Sequence, residues 1–285
     1  MNEDKELKVS FQSKEEYNCP VCMTTFHREE LLSGSGRLIA GIMTDELHRL
    51  YEPSVKYGEI HPLVYQATVC PECWFASIEK DFLSFPASGK NTALADEKKR
   101  IADTKNLFPG LDFRRSRNLI NGAASQYLVL RCYDYFPKDF SPTIKQGIAA
   151  LRAGWLMDHL AEKYPDQHFD WLALTFKKKA QFLYGEAVLR EQAGKETLSA
   201  CKNFGPDTDK NYSYEGALYL SGLLKLKYGP KNDMEMRKAS LDEIKRIIAK
   251  IFGLGKTSKS RPGPLLEKAR NLYSNINQEL HEADD

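Results

Sequence analysis

Two cysteine pairs in one frame, Cys19-Pro20-Val21-Cys22 and Cys70-Pro71-Glu72-Cys73, carry the clearest chemistry in the sequence. Together they offer four thiolates, a complete tetrahedral set of soft donors for one zinc ion at about 2.3 Å from the metal. A two-residue spacer in a tight turn lets both sulfurs of a pair reach the same ion. Proline after the first cysteine presets φ near about −65° for that turn. Backbone N–H groups beyond it are placed to donate to the sulfurs and spread their charge. Each pair therefore reads as a zinc knuckle. Four cysteines leave no coordination position open, so the expected ion is single and structural, with Cys19, Cys22, Cys70 and Cys73 as its ligands.

A Cys-x-x-Cys pair can also serve thiol–disulfide exchange, which needs one exposed thiolate of lowered pKa, usually at a helix N-terminus. Two matching pairs argue against that role. Disulfide scaffolding is not expected either: Met1 to Lys14 is charged and has no apolar signal core, which reads as a cytoplasmic chain in a reducing compartment. Cys132 and Cys201 stand alone. Cys132 falls in an apolar helical pattern and reads as a small buried hydrophobe. His27, His48 and His61 share the region of the pairs and are secondary candidates to replace a cysteine ligand.

The 47 residues between Cys22 and Cys70 exceed the roughly 12–20 of simple finger and ribbon patterns, so that segment must itself fold. Leu63 to Val69 alternates like a strand leading into Cys70. Thr44 is placed to cap a helix through Leu47 and Leu50 to Tyr51, stopped before Pro53. From Ser88 on, helical periodicity dominates, with helices expected at 89–107, 114–136, 142–164, 168–194, 211–229, 233–252 and 262–282. Pro109-Gly110, Pro137, Pro165, Gly205-Pro206 and Gly229-Pro230 fall between them. Pro86-Ala87-Ser88-Gly89 is the candidate boundary between a zinc-binding module, 1–86, and a helical domain, 87–285. The expected class is mainly α: a small α+β zinc-ribbon-like module followed by a tetratricopeptide-like helical array.

That array is read from two helix pairs. In one, Ala150, Ala153, Gly154 and Trp155 face a partner bearing Ala180, Tyr184 and Ala187, and small residues at such positions let helices approach closely. In the other, Ala217 to Leu224 followed by Lys227-Tyr228-Gly229 has the character of the first helix and turn of a tetratricopeptide repeat. The two pairs start nearly seventy residues apart, so a regular 34-residue period is not kept and an ordinary helical bundle is the competing reading.

These residues together resemble a known family. The two Cys-Pro-x-Cys frames, Asp45 to Tyr51, Pro62-Leu63-Val64-Tyr65, Gly154-Trp155-Leu156 and Tyr219-Leu220-Ser221-Gly222 are similar to the bacterial domain-of-unknown-function family 2225, over nearly the whole chain. The resemblance implies a cytoplasmic bacterial protein that joins a zinc-ribbon-like module to tetratricopeptide-like helices, with no assigned activity. One departure is visible: Trp74 follows Cys73 where such knuckles commonly have glycine.

No catalytic frame stands out, so enzymatic activity is not expected. Gly253-Leu254-Gly255-Lys256-Thr257 ends like a phosphate-binding loop, but Lys250 occupies the leading glycine position and a helix, not a strand, precedes it. No His-Glu-x-x-His or nucleophile elbow appears. The chain has 285 residues, 42% apolar and 28% charged, and its longest apolar stretch is far too short to cross a bilayer, so no membrane insertion is expected. The net charge of +2 is uneven: Lys225 to Arg270 holds thirteen Lys or Arg against five Asp or Glu, leaving −6 for the rest. Two functions follow. One is a protein-interaction scaffold or adaptor whose helices take a protein or peptide partner. The alternative is a zinc-ribbon nucleic-acid binder that uses the basic C-terminal stretch for phosphate contacts.

Overall fold

Short β-branched and aromatic runs in the first third pair only locally, producing three two-stranded antiparallel sheets in a computed structural model that describes residues 8–198, 201, 205–253 and 263–282. Strand β1 (Ser10–Asn18) pairs with β2 (Thr25–Leu31), β3 (Ile39–Met43) with β4 (Arg49–Glu52), and β5 (Ala67–Val69) with β6 (Ala76–Ile78). Two of the hairpins close on cysteine turns, with Asn18 opposite Thr25 and Val69 opposite Ala76.

Nine helices follow among the described residues: α1 (Glu79–Phe82), α2 (Ala87–Ala95), α3 (Glu97–Leu107), α4 (Leu119–Cys132), α5 (Pro142–Lys163), α6 (Phe169–Gln192), α7 (Ser213–Tyr228), α8 (Met234–Gly253) and α9 (Gly263–Glu282). Helices α5 to α9 begin and end within about two residues of their sequence-based bounds. Helix α4 starts later than expected because Asn118 caps it, its side chain accepting from the Asn121 N–H at 2.9 Å. The chain is thus mainly helical, with small antiparallel sheets near its N-terminus. No described helix is long and apolar enough to cross a membrane.

Two expectations between the cysteine pairs need correction. The helix expected from Thr44 to Tyr51 is the β3–β4 hairpin, with Met43 opposite Arg49 and Leu47 in the left-handed region at φ 62°. Fewer than two helical turns cannot offset their nucleation cost unaided, whereas the β-rich run before Thr44 supplies a pairing partner. The strand expected over Leu63 to Val69 survives only as β5. Pro62 opens a 3-10 helix, Pro62–Tyr65, whose four residues are all buried.

Contacts divide the chain into two units. The first comprises Met1–Thr44, Arg49–Pro137 and Trp155–Asp170; the second comprises Asp45–His48, Lys138–Gly154 and Trp171–Asp285. The expected boundary at 86/87 lies inside the first unit. There Gly89 approaches so closely that a Cβ would stand 2.4 Å from the Tyr135 carbonyl oxygen and 2.7 Å from the Phe85 ring, a packed contact and not a linker.

In the first unit an aromatic cluster anchors the second cysteine turn. Phe75 is fully buried, with its ring 4.5 Å from Phe85, 5.4 Å from Phe82 and 6.2 Å from Phe136. Burying such a ring contributes about 2–3 kcal/mol. Helix α4 packs on β5, β6 and the 3-10 helix, where Gly122 admits Val64.

In the second unit α8 and α9 each bury a single stripe: Leu241, Ile244, Ile248 and Ile251 on one, Leu265, Ala269, Leu272, Ile276 and Leu280 on the other. Asp233 caps α8, accepting from the Met236 N–H at 2.9 Å. Gly222 of α7 meets Ile244 and Ile248 of α8 at the distance its missing Cβ permits. Near the start of α5, the Glu196 carboxylate accepts from both the N–H and the hydroxyl of Thr143, at 3.0 and 2.8 Å, and from Arg190 at 2.6 Å.

Candidate metal centre

Each cysteine pair occupies the turn of its own hairpin, and the two turns repeat the same backbone bonds. The Cys19 N–H donates to the Thr24 carbonyl at 2.9 Å and the Met23 N–H to the Cys19 carbonyl at 2.9 Å. The Cys70 N–H donates to Phe75 at 2.9 Å and the Trp74 N–H to Cys70 at 3.0 Å. In both turns the residue after the second cysteine sits in the left-handed region, Met23 at φ 66° and Trp74 at φ 56°. The departure from glycine seen at Trp74 therefore leaves the turn intact, at a cost of about 1–2 kcal/mol per non-glycine residue.

These two positions make separable predictions. Met23 is 65% exposed, so Met23→Gly should be neutral or stabilising by up to about 1 kcal/mol as the left-handed strain is relieved. Trp74 is 5% exposed, edge-on to Phe113 at 5.1 Å and beneath the Lys105 ammonium at 5.6 Å. Trp74→Gly should cost about 3–5 kcal/mol, because lost packing outweighs the relieved strain. Thermal unfolding of the two variants checks this, and equal destabilisation would contradict it.

The hairpins bring all four sulfurs within 4.8 Å of one another. Cys19 Sγ lies 3.6 Å from Cys73 Sγ, and Cys22 Sγ lies 3.5 Å from Cys70 Sγ. A tetrahedral ion with sulfurs at about 2.3 Å requires edges of ~3.8 Å, so the cluster fits a four-thiolate metal site. Cys19, Cys70 and Cys73 have no exposed surface, while Cys22 is half-buried with its sulfur 3.3 Å from the Thr24 hydroxyl, leaving the Cys22 edge as the route of entry. The thiols share protons unevenly. Hydrogen bonds from Cys70 and Cys73 pull the Cys19 thiol down to about 4, and giving those bonds to Cys19 holds the Cys70 and Cys73 thiols above the ordinary value. A divalent ion would take the place of those shared protons.

Neither turn opens a helix and three of the four thiols are sealed from solvent, so the arrangement does not suit thiol–disulfide exchange. Cys132 lies outside the cluster: its sulfur accepts from the Ala76 N–H at 3.4 Å, and burial pushes its thiol up to about 11. Cys201 is also buried. None of the three candidate histidines joins the sulfurs. His27 is exposed on β2, His48 pairs with Asp207 at 2.5 Å, and His61 lies against His159.

The residue that sequence reasoning missed is Arg100. Helix α3 buries only Arg100 and Thr104, and the Arg100 guanidinium is spent on backbone. Two of its nitrogens donate to the Cys73 carbonyl, at 3.1 and 2.6 Å, and the third donates to the Ala93 carbonyl at 2.9 Å and to the Tyr135 hydroxyl at 3.3 Å. It clamps the second cysteine turn from behind. It also sets a buried positive charge beside a group that carries −2 when four thiolates hold a divalent ion. No sequence signal marks it, since an arginine in a charged helix normally faces solvent.

The family model described as "Uncharacterized protein conserved in bacteria (DUF2225)" matches residues 12–276, a span that contains both cysteine turns. The chain belongs to that family. A protein of Borreliella burgdorferi described as "Uncharacterized protein" is 40% identical to this DUF2225 chain over 274 residues, covering 96% of the chain and 98% of the relative. No solved structure matches the DUF2225 chain.

Proposed function

We propose that the four thiols hold one structural zinc ion in a zinc-ribbon-like pair of knuckles, and that the second unit is a protein-interaction platform, so that the chain acts as an adaptor in the bacterial cytoplasm. Zinc is the ion favoured by an all-thiolate tetrahedral set with no open position. The observation that carries the adaptor reading is helix α6, which is apolar on two faces. One face, Ala173, Phe176, Ala180, Tyr184 and Ala187, is buried. The other exposes Trp171 by 65%, Leu174 by 43%, Phe182 by 57% and Leu189 by 58%, at spacings that align them along one stripe. Such a row on a folded surface supports a contact site.

Beside that stripe runs a cleft of about 370 Å³ between α6, α7 and α8, floored by Gly185, Val188, Ser221 and Ile247 and rimmed by charges of both signs, Glu186 and Glu243 with Lys225, Arg246 and Lys250. An amphipathic partner helix with flanks of mixed charge matches this cleft. Helices α7, α8 and α9, packed in succession, support the tetratricopeptide-like reading of the unit.

The nucleic-acid reading has less support. In the basic stretch, Lys227 pairs with Glu46 at 2.5 Å, Arg237 with Glu279 at 2.7 Å, Lys268 with Asp45 at 3.3 Å, and Lys225 with Glu243. The loop residues Leu254 to Thr257 lie outside the described residues. In the first unit, a cleft near the second cysteine turn gathers Arg28, Arg114, Arg115 and Arg117, but Glu79, Glu72 and Asp112 pair with the first three, and the Arg117 guanidinium is spent on the Val64 carbonyl and the Ser125 hydroxyl. Purification of the tagged full chain from its native bacterium, with nuclease and high salt, decides between the readings. Protein partners that survive both treatments and are lost from a Phe182→Glu/Leu189→Glu variant are expected. Nucleic acid recovered only at low salt, with no protein retained, would replace the adaptor by the alternative.

A further inference from the structure

Outside the cysteine cluster, one other group of described side chains brings metal-ligating atoms together: those of Glu59, His61 and His159 lie within 4.8 Å of one another. They come from separate parts of the first unit. Glu59 and His61 flank buried Ile60 just ahead of the 3-10 helix, and His159 lies on α5 between buried Met157 and Leu160. The two imidazole rings are 4.4 Å apart between centroids and tilted by 53°. Glu59 Oε1 stands 3.2 Å from His61 Nε2, close to the ~3.4 Å between two donors on one ion with nitrogen ligands at about 2.1 Å.

The three donors differ in exposure. The His61 and His159 side chains are 14% and 23% exposed, on backbone fixed by packing, whereas the Glu59 side chain is 54% exposed and can swing to close the set. The Glu162 carboxylate, 3.7 Å from His159 Nδ1, adds negative charge at the edge. Two imidazoles beside one carboxylate at a half-open surface are the donor types that late first-row divalent ions take.

We propose that Glu59, His61 and His159 form a second metal site, distinct from the thiolate cluster, which takes a late first-row divalent ion such as Zn²⁺, Co²⁺ or Ni²⁺ on two nitrogens and one oxygen. Three protein donors leave at least one coordination position for water. The donors are harder than thiolate, and the order of affinity among metals is that of imidazole and carboxylate sites. With fewer and more exposed ligands than the cysteine cluster, this site exchanges its ion readily.

The test uses the untagged full chain, stripped of metal under reducing conditions and titrated with Co²⁺. Two equivalents are expected: one with the intense thiolate-to-cobalt charge-transfer absorption, and one with only weak d–d bands. A His61→Ala/His159→Ala variant should lose the second equivalent and keep the first, whose thiolate band shows that the first unit is still folded. Should that variant fail to fold, Glu59→Gln on the exposed side chain should weaken the second site by roughly tenfold or more and leave the first unchanged. A single equivalent in the unmodified chain, or a second equivalent equally tight in Glu59→Gln, would overturn the proposal. The thiolate band reports separately on the zinc reading, so failure of one is distinguishable from failure of the other.

Discussion

Serine at Cys70 is expected to leave the purified protein with sub-stoichiometric zinc and to lower the unfolding temperature of the first unit by about 10 °C or more. The β5–β6 hairpin has only three residues per strand, too few to hold itself together in water, so its turn leans on the aromatic cluster around Phe75 and, under the proposed reading, on the zinc ion. Replacing one thiolate removes a soft ligand from a set that has no spare. It also leaves three thiolates crowded within 4.8 Å, a like-charge cost that grows as the ion's charge is lost. Serine at Cys19, Cys22 or Cys73 should behave in the same way, and Cys132→Ser should retain the metal because that sulfur only accepts from Ala76. Elemental analysis of the five variants alongside calorimetry is the check. Full zinc in any of the four cluster variants would sink the four-thiolate site.

The second large effect is expected at Arg100, where leucine should cost about 3–5 kcal/mol. A fully buried guanidinium carries a desolvation penalty, and its four hydrogen bonds to carbonyls and a hydroxyl repay it. Leucine removes the charge but strands two buried carbonyls, Cys73 and Ala93, at about 1–3 kcal/mol each. Lysine keeps the charge yet cannot span both carbonyls, so Arg100→Lys should be nearly as costly. A merely structural role would stop at stability. Here the metal should also be lost to a chelator about tenfold faster in the lysine variant at a temperature where the unit remains folded, because the turn carrying Cys70 and Cys73 loses its clamp. An unchanged rate of metal loss would confine Arg100 to packing.

The cysteine cluster was legible because residue type and spacing are local properties: a Cys-Pro-x-Cys turn needs only its own few residues, the proline among them. The bounds of α5 to α9 were legible for a related reason, since Pro and Gly between periodic segments end helices wherever they fall. Between the cysteine pairs the reading failed where elements were short. Thr44 to Tyr51 carries helix-compatible residues, yet a strand partner at Ile39–Met43 outbid a helix of under two turns. The segment Pro86–Gly89, expected as a boundary, lies inside the first unit, and sequence does not show that Gly89 is pressed against Tyr135 there.

By itself, then, the sequence determined which atoms could bind a metal, where the long helices run and which family the chain resembles. The tertiary structure alone decided that Arg100 is buried behind the cysteine turn, that Met23 and Trp74 occupy left-handed backbone, that α6 turns an apolar face outward, and that His61 meets His159. Each of these depends on groups far away in the chain. A buried charge is tolerable only where distant carbonyls answer it, and a strained φ persists only where surrounding contacts hold it. An apolar face is exposed only where no other element arrives to cover it, which periodicity along one helix cannot report.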